Sequence, residues 1–305
     1  MICIFRASTT VHALDMSSRF GLETVNISGY TSFENTYPEG KSKLEWPIYM
    51  TMGGFNYSLE FDGILSVEFT TMASPWRENS HYMKDYDWLD ESFYPGKTSH
   101  EGLDVYSESN IDVKGTFFSS NTRLSPIRWG NMSLGFVCGY TIEEFDFRAY
   151  NTRQSGFGSW QDQNAYVSGP TATYTVKINQ LDMGISYQAD IDNRLHIRLD
   201  TSIIPYVKAC DEDNHLKRFR TSKANCTGYG AKTSMSARFN LFENWYCSTK
   251  AGITRISTRG SQEQLWYGDD PASPNYDDTG NSLSNILTRI EERSFAITLG
   301  LGNRF

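Results

Sequence analysis

No stretch of the chain approaches the ~18 consecutive apolar residues that a membrane-crossing helix needs, so a helical span is excluded. Nor is there a convincing helical stripe of apolar residues anywhere along its 305 residues, a length that suits one large domain or two ordinary ones. Basic charge is not in surplus: 28 Lys and Arg stand against 36 Asp and Glu, a formal charge of −8. That balance argues against a nucleic-acid partner, which needs cations to neutralise phosphates, and leaves room for cationic substrates. The five Cys are an odd number with no CxxC or Cys/His ligand spacing, which argues against a zinc site.

What the chain has is alternation. Its last twelve residues read SFAITLGLGNRF, with Phe295, Ile297, Leu299, Leu301 and Phe305 at every second position and Asn303 breaking the series. Ala296, Thr298, Gly300, Gly302 and Arg304 occupy the other face. A period of two with bulky apolar residues on one side is a strand buried on one face. A chain that ends on Phe in such a strand resembles the assembly signal of bacterial outer-membrane barrels. A membrane barrel is compatible with low average hydropathy because only alternate residues meet lipid, and 18 Tyr, 18 Phe and 7 Trp suit its interfacial girdles.

Similar alternating segments span 17–34, 43–60, 64–73, 103–119, 129–150, 171–189, 194–211, 228–242, 245–260 and 288–305. Short connections are expected at 61–63, 119–123, 190–193 and 241–244, and long polar ones at 35–42, 74–102, 151–170, 212–227 and 261–287. Ten antiparallel strands with short turns on one rim and long loops on the other predict a transmembrane β-barrel with no free edge. Crossing the bilayer takes about 9–11 tilted residues, so the longer strands should project above the outer membrane. Pro205 lacks an N–H for the ladder and predicts a bulge. Residues 1–13 read as a signal-peptide remnant, with Val11-His12-Ala13 as its A-x-A-like end, which leaves 14–305 as one barrel domain.

Two acidic clusters fall on the long-loop rim: Asp85-Tyr86-Asp87-Trp88-Leu89-Asp90 and Asp211-Glu212-Asp213-Asn214-His215. In extended backbone, Asp85 and Asp87 share one side, as do Asp211, Asp213 and His215. Such a set can perform general-base hydrolysis. His215 takes a proton from water, Asp213 orients the ring, Asp85 holds the water from the far side, and repulsion from Asp87 hinders ionisation of both carboxyls. The competing reading is a solvated Asx-turn or a calcium loop. An EF-hand is ruled out, since neither cluster continues into the required Gly and Glu.

At MKDYDWLD (83–90) and DEDNH (211–215) the chain resembles the omptins, outer-membrane aspartate/histidine endopeptidases of Gram-negative bacteria. Lys43-Leu44-Glu45-Trp46, Asn110–Gly115 and Leu134–Tyr140 support the resemblance, which covers almost the whole chain. It implies a narrow ten-stranded barrel facing the exterior, with Asp85/Asp87 and Asp213/His215 as two catalytic pairs, no metal and no cofactor. It also implies cleavage at or near basic residues of peptide substrates. Asp211 matches one acidic residue of the specificity pocket; for the other, Phe33 aligns, and only a one-residue bulge would bring Glu34 in.

The resemblance further implies lipopolysaccharide as an activating partner, with Tyr140 and Lys177 at matching positions, but Glu144 stands where an Arg is expected. A monomer is expected. Ser99-His100 is an adjacent Ser/His pair in an active-site loop, although neighbours in a strand face opposite ways, which weakens a serine-nucleophile reading. The alternatives are a catalytically inactive adhesin or invasin on the same scaffold and a lipid hydrolase using Ser99. A pore is disfavoured because so narrow a barrel fills with its own side chains. Cys210 and Cys226, flanking one loop on consecutive strands, are expected to form a disulfide.

Overall fold

The computed structural model describes residues 15–98, 102–192, 194–242, 244–271 and 277–305. Eleven antiparallel strands form one closed sheet: β1 Met16–Tyr37, β2 Gly40–Phe61, β3 Leu65–Ala73, β4 Glu78–Leu89, β5 Val105–Trp129, β6 Met132–Gly156, β7 Ala165–Asp190, β8 Leu195–His215, β9 Arg220–Phe242, β10 Trp245–Trp266 and β11 Ser282–Arg304. β1 pairs with β2 and with β11, which closes the ring. β3 and β4 both lie between β2 and β5, β3 against their short-turn halves and β4 against their long-loop halves. They are two pieces of one wall position, so eleven strands fill ten places.

The break between β3 and β4 has a chemical cause. Pro75 follows Ser74 and offers no N–H. Ser74 binds Gly115 through both backbone and hydroxyl, and Arg77 turns to Asp146 at 2.7 Å. The facing stretch of β2 is served by side chains: Tyr49 N–H donates to Ser80 Oγ and Thr51 N–H to Glu78 Oε1, both at 2.9 Å. Hydrogen-bond satisfaction of the wall is thus kept where the ladder lapses.

The last strand has the expected two faces. Phe295, Ile297, Leu299 and Leu301 are exposed on the outer wall, while Thr298 is buried inside. Leu22, Phe55, Phe69, Phe136, Ile185, Leu199, Ile203, Met235 and Ile253 continue the outer apolar surface around the ring. Inside, this half is polar: Arg123 donates to Glu68 and to Asp200 at 2.8 and 2.9 Å, and Ser186 caps Asp200 at 2.6 Å. Side chains project into the lumen and leave two cavities between them, one lined by residues that include Glu68, Arg123 and Asp182 and one by residues that include Arg19, Glu60 and Arg198. The other half holds an apolar core that includes Phe33, Trp46, Phe147 and Tyr174, with Trp46 stacked on Tyr174 at 5.1 Å.

Several expected connections are in fact wall. The 119–123 turn is absent; Ser119, Asn121 and Arg123 are buried inward-facing residues of β5, and the chain reverses at 130–131. The 35–42 loop shrinks to 38–39 between paired Tyr37 and Gly40. Much of 74–102 is β4, and the loops expected at 151–170, 212–227 and 261–287 contract to 157–164, 216–219 and 267–281. Strands of 21–26 residues therefore exceed a bilayer crossing by more than the alternation suggested. The Pro205 irregularity is present, with register shifts on both sides of β8. The signal-peptide reading of 1–13 lies outside the described residues.

Cys210 and Cys226 are not joined. Cys226 is fully buried inside, whereas Cys210 shares the outer face with Asn225, its register partner. Side chains on opposite faces of a sheet cannot meet in a disulfide. Counting reactive thiols in the denatured protein with and without reductant should give the same number; a gain on reduction contradicts this arrangement. Replacing the exposed Phe305 by Ser should lower the yield of the heat-modifiable folded band on unboiled gels, and an unchanged yield would deny the terminus a role in assembly.

Candidate active site

The site sits at the long-loop mouth, and strand alternation builds it. On β8, Asp211, Asp213 and His215 share the inner face; on β4, Asp85 and Asp87 do the same. The aspartates of β4 are therefore held by a strand and not by the loop in which the sequence reading put them. Asp85 is registered with Leu44 and Ser107, Asp87 with Ser42 and Val105. Ser42 Oγ donates to Asp85 Oδ1 at 3.3 Å.

Across the mouth, His215 Nε2 lies 2.8 Å from Asp213 Oδ2. Asp213 is almost wholly buried, and its Oδ1 has no hydrogen-bond partner among the described residues. The two groups feel each other. Burial, then the charges of Asp87 and Asp213, holds the Asp85 carboxyl well above the usual carboxylate range. Burial also raises Asp87, against the Ser42 hydroxyl and the positive charges of Arg218, His215 and Arg220. Burial lowers His215 from its ordinary value, with the Asp213 charge opposing. These are the signs of a desolvated acid–base cluster.

Below lies an aromatic floor. Phe33 packs on Tyr174 at 5.2 Å, and Trp46 spans Tyr174 and Phe147. Asp211 is buried beside this floor, accepting the Ala224 N–H at 2.9 Å and the Tyr174 hydroxyl at 3.3 Å. Burial, and secondarily the Asp213 charge, pushes its carboxyl up to about 7.

Glu34 does not join it. The register of β1 with β2 and β11 runs unbroken through 33–34, so no bulge turns Glu34 inward. Phe33 takes the inner place, and Glu34 pairs with Lys41 at 3.0 Å on the opposite face. Tyr140 and Lys177 lie exposed on the outer wall, Tyr140 bonded to Asn179 and Lys177 in register with Glu144. Ser99 and His100 lie outside the described residues.

Three participants escaped the sequence reading. Ser42 was hidden because its partner Asp85 is distant in sequence. Tyr174 looked like any strand aromatic. Arg220 fell within the polar connection expected at 212–227, yet alternation places it with Ser222 and Ala224 on the inner face, next to His215 across a four-residue connection, 216–219.

The sequence profile of the Omptin family matches residues 31–305. Among solved structures, the outer membrane protease OmpT from Escherichia coli superposes with a TM-score of 0.76 at 16% identity, covering 98% of this chain and 100% of that one. OprG from Pseudomonas aeruginosa (TM-score 0.39, 11% identity, 93% and 96% covered) and the translocator domain of NalP from Neisseria meningitidis (0.37, 9%, 93% and 88%) are far less similar. No curated protein sequence matches.

Because the folded Asp211 binds its proton more tightly than an unfolded aspartate of about 3.9, it favours folding at low pH and loses that contribution as pH rises through about 7. Asp211→Asn should therefore unfold at higher temperature than the unsubstituted protein, with an advantage that grows from about pH 4 to about pH 7 and levels off above. Band-shift melting at several pH values checks this; a pH-independent difference would contradict it.

Proposed function

The chain belongs to the Omptin family, outer-membrane β-barrel proteases of Gram-negative bacteria, and from the geometry of its mouth we propose that it hydrolyses peptide bonds with an activated water. The observation that carries the reading is the meeting of two inner-face pairs, Asp85/Asp87 and Asp213/His215, across one desolvated cleft.

His215 Nε2 is engaged by Asp213, which leaves Nδ1 to accept the proton of the attacking water. Asp213 fixes the tautomer and stabilises the imidazolium that forms. Asp85 and Asp87 hold the water from the far side. Burial raises both carboxyls, and their mutual repulsion hinders ionisation of the two together. After water adds to the carbonyl carbon, the imidazolium returns its proton to the leaving amine and the C–N bond breaks.

For the residue before the cleaved bond, Asp211 supplies one carboxyl, hydrogen-bonded beneath the cleft, and Phe33 an apolar surface. A basic side chain would meet a single acid here, so the preference for it should be weaker than two acids would give. Lipopolysaccharide contact belongs to the outer wall at Tyr140 and Lys177, where Glu144 beside Lys177 reduces the attraction for phosphate.

His215→Ala should lower kcat by at least the ~10²–10⁴-fold typical of a lost general base, and Asp213→Asn should be severely slowed with folding retained. Because burial lowers the His215 pKa, the acid limb of the rate profile should fall below the ordinary histidine value of about 6.5. Quenched-peptide assays on lipopolysaccharide-reconstituted protein measure all three. Undiminished cleavage by His215→Ala would overturn the scheme.

A further inference from the structure

The hydrolytic scheme leaves Arg220 without a task, although it stands in the cleft. It is the register neighbour of His215, and its guanidinium lies 5.7 Å from the centroid of the Trp266 ring. Its Nε–H is buried and has no acceptor among the described residues. Of the two carboxylates whose charge it feels, Asp213 holds His215 through Oδ2 at 2.8 Å and Asp270 holds Arg218 at 2.9 Å, and neither is hydrogen-bonded to the Arg220 Nε.

A buried donor without an acceptor is costly, and the neighbouring Arg218 charge makes it more so. The cost is relieved by an anion that reaches Arg220. A planar guanidinium fixed against an aromatic face presents a rigid fork, and the group that matches both fork and charge is a carboxylate. A backbone carbonyl would satisfy one donor and none of the charge. Arg218 is the weaker candidate, since its side chain is half exposed and its Nε is committed to Asp270.

We propose that Arg220 is a specificity-determining residue that binds an Asp or Glu side chain of the substrate, placed within the few residues flanking the scissile bond on the His215 side. The cleft would then read two features of a peptide, with carboxyls on one wall and this guanidinium on the other. The inference rests on reading the mouth as a peptidase cleft.

The test uses the lipopolysaccharide-reconstituted full chain and quenched peptides that differ only in carrying Glu, Gln or Lys at each position beside the cleaved bond. At one position Glu should raise kcat/KM about tenfold or more over Gln, the order of a charge-assisted hydrogen bond, and chiefly through KM. Arg220→Gln should bring the Glu/Gln ratio to about one, and Arg220→Lys should keep part of it. Direct binding of fluorescein-labelled Glu and Gln peptides to Asp85→Asn, altered on the far wall, should show the same preference. Equal treatment of Glu and Gln by the unsubstituted protein overturns the inference, as does a ratio that survives in Arg220→Gln, even with a lower rate. If no peptide is cleaved, the peptidase reading fails, while the binding preference still decides the role of Arg220.

Discussion

Closure of the sheet is the constraint from which the rest follows. Once β1 pairs with both β2 and β11, every wall residue has one side facing in and one facing out, and no edge remains to end the pattern. The outward set becomes a continuous apolar surface, and the inward set must fill a narrow lumen. Even the interruption between β3 and β4 respects the constraint, because Ser80 and Glu78 take over the hydrogen bonds that a strand would have made. Interior polar groups then pair with one another across the lumen. Arg123 is shared between Glu68 and Asp200, and removing one partner of such a network costs roughly 3–5 kcal/mol.

The same constraint assembles the candidate cleft. Carboxyls at i, i+2 spacing on a strand are forced onto one side, and the ring brings β4 opposite β8 without any loop having to fold over them. Desolvation does the tuning: burial is the leading cause of the shifts at Asp85, Asp87, Asp211 and His215 alike. The groups are consequently held against their own ionisation preferences, a stability cost that the closed wall and the aromatic floor offset. Precise placement comes from strands here, which are stiffer supports than loops.

Much of this was legible in the sequence. The alternation of Phe295 to Leu301, the spacing of Asp85 with Asp87, and that of Asp213 with His215 are period-two signals, and each emerged with the orientation expected. Legibility failed where both faces of a strand are polar, so Asn121 and Arg123, or Thr221 and Lys223, look like loop residues although they are paired on both sides. Glu34 and Cys226 failed for a different reason. Their facing depends on whether register slips by one residue nearby, and the unbroken ladders beside them cannot be read from one chain.

The floor of Phe33, Trp46, Phe147 and Tyr174 closes the cleft from below. No polypeptide terminus can be fed down the lumen, so on the proposed reading a substrate enters and leaves sideways, lying over the mouth like a rope over a saddle. Such a geometry does not count residues from either end. A cyclic peptide, a loop tethered at both ends in a folded protein, and a short linear fragment all present the same local segment, and what separates them is only how far that segment can be drawn out to span the opening.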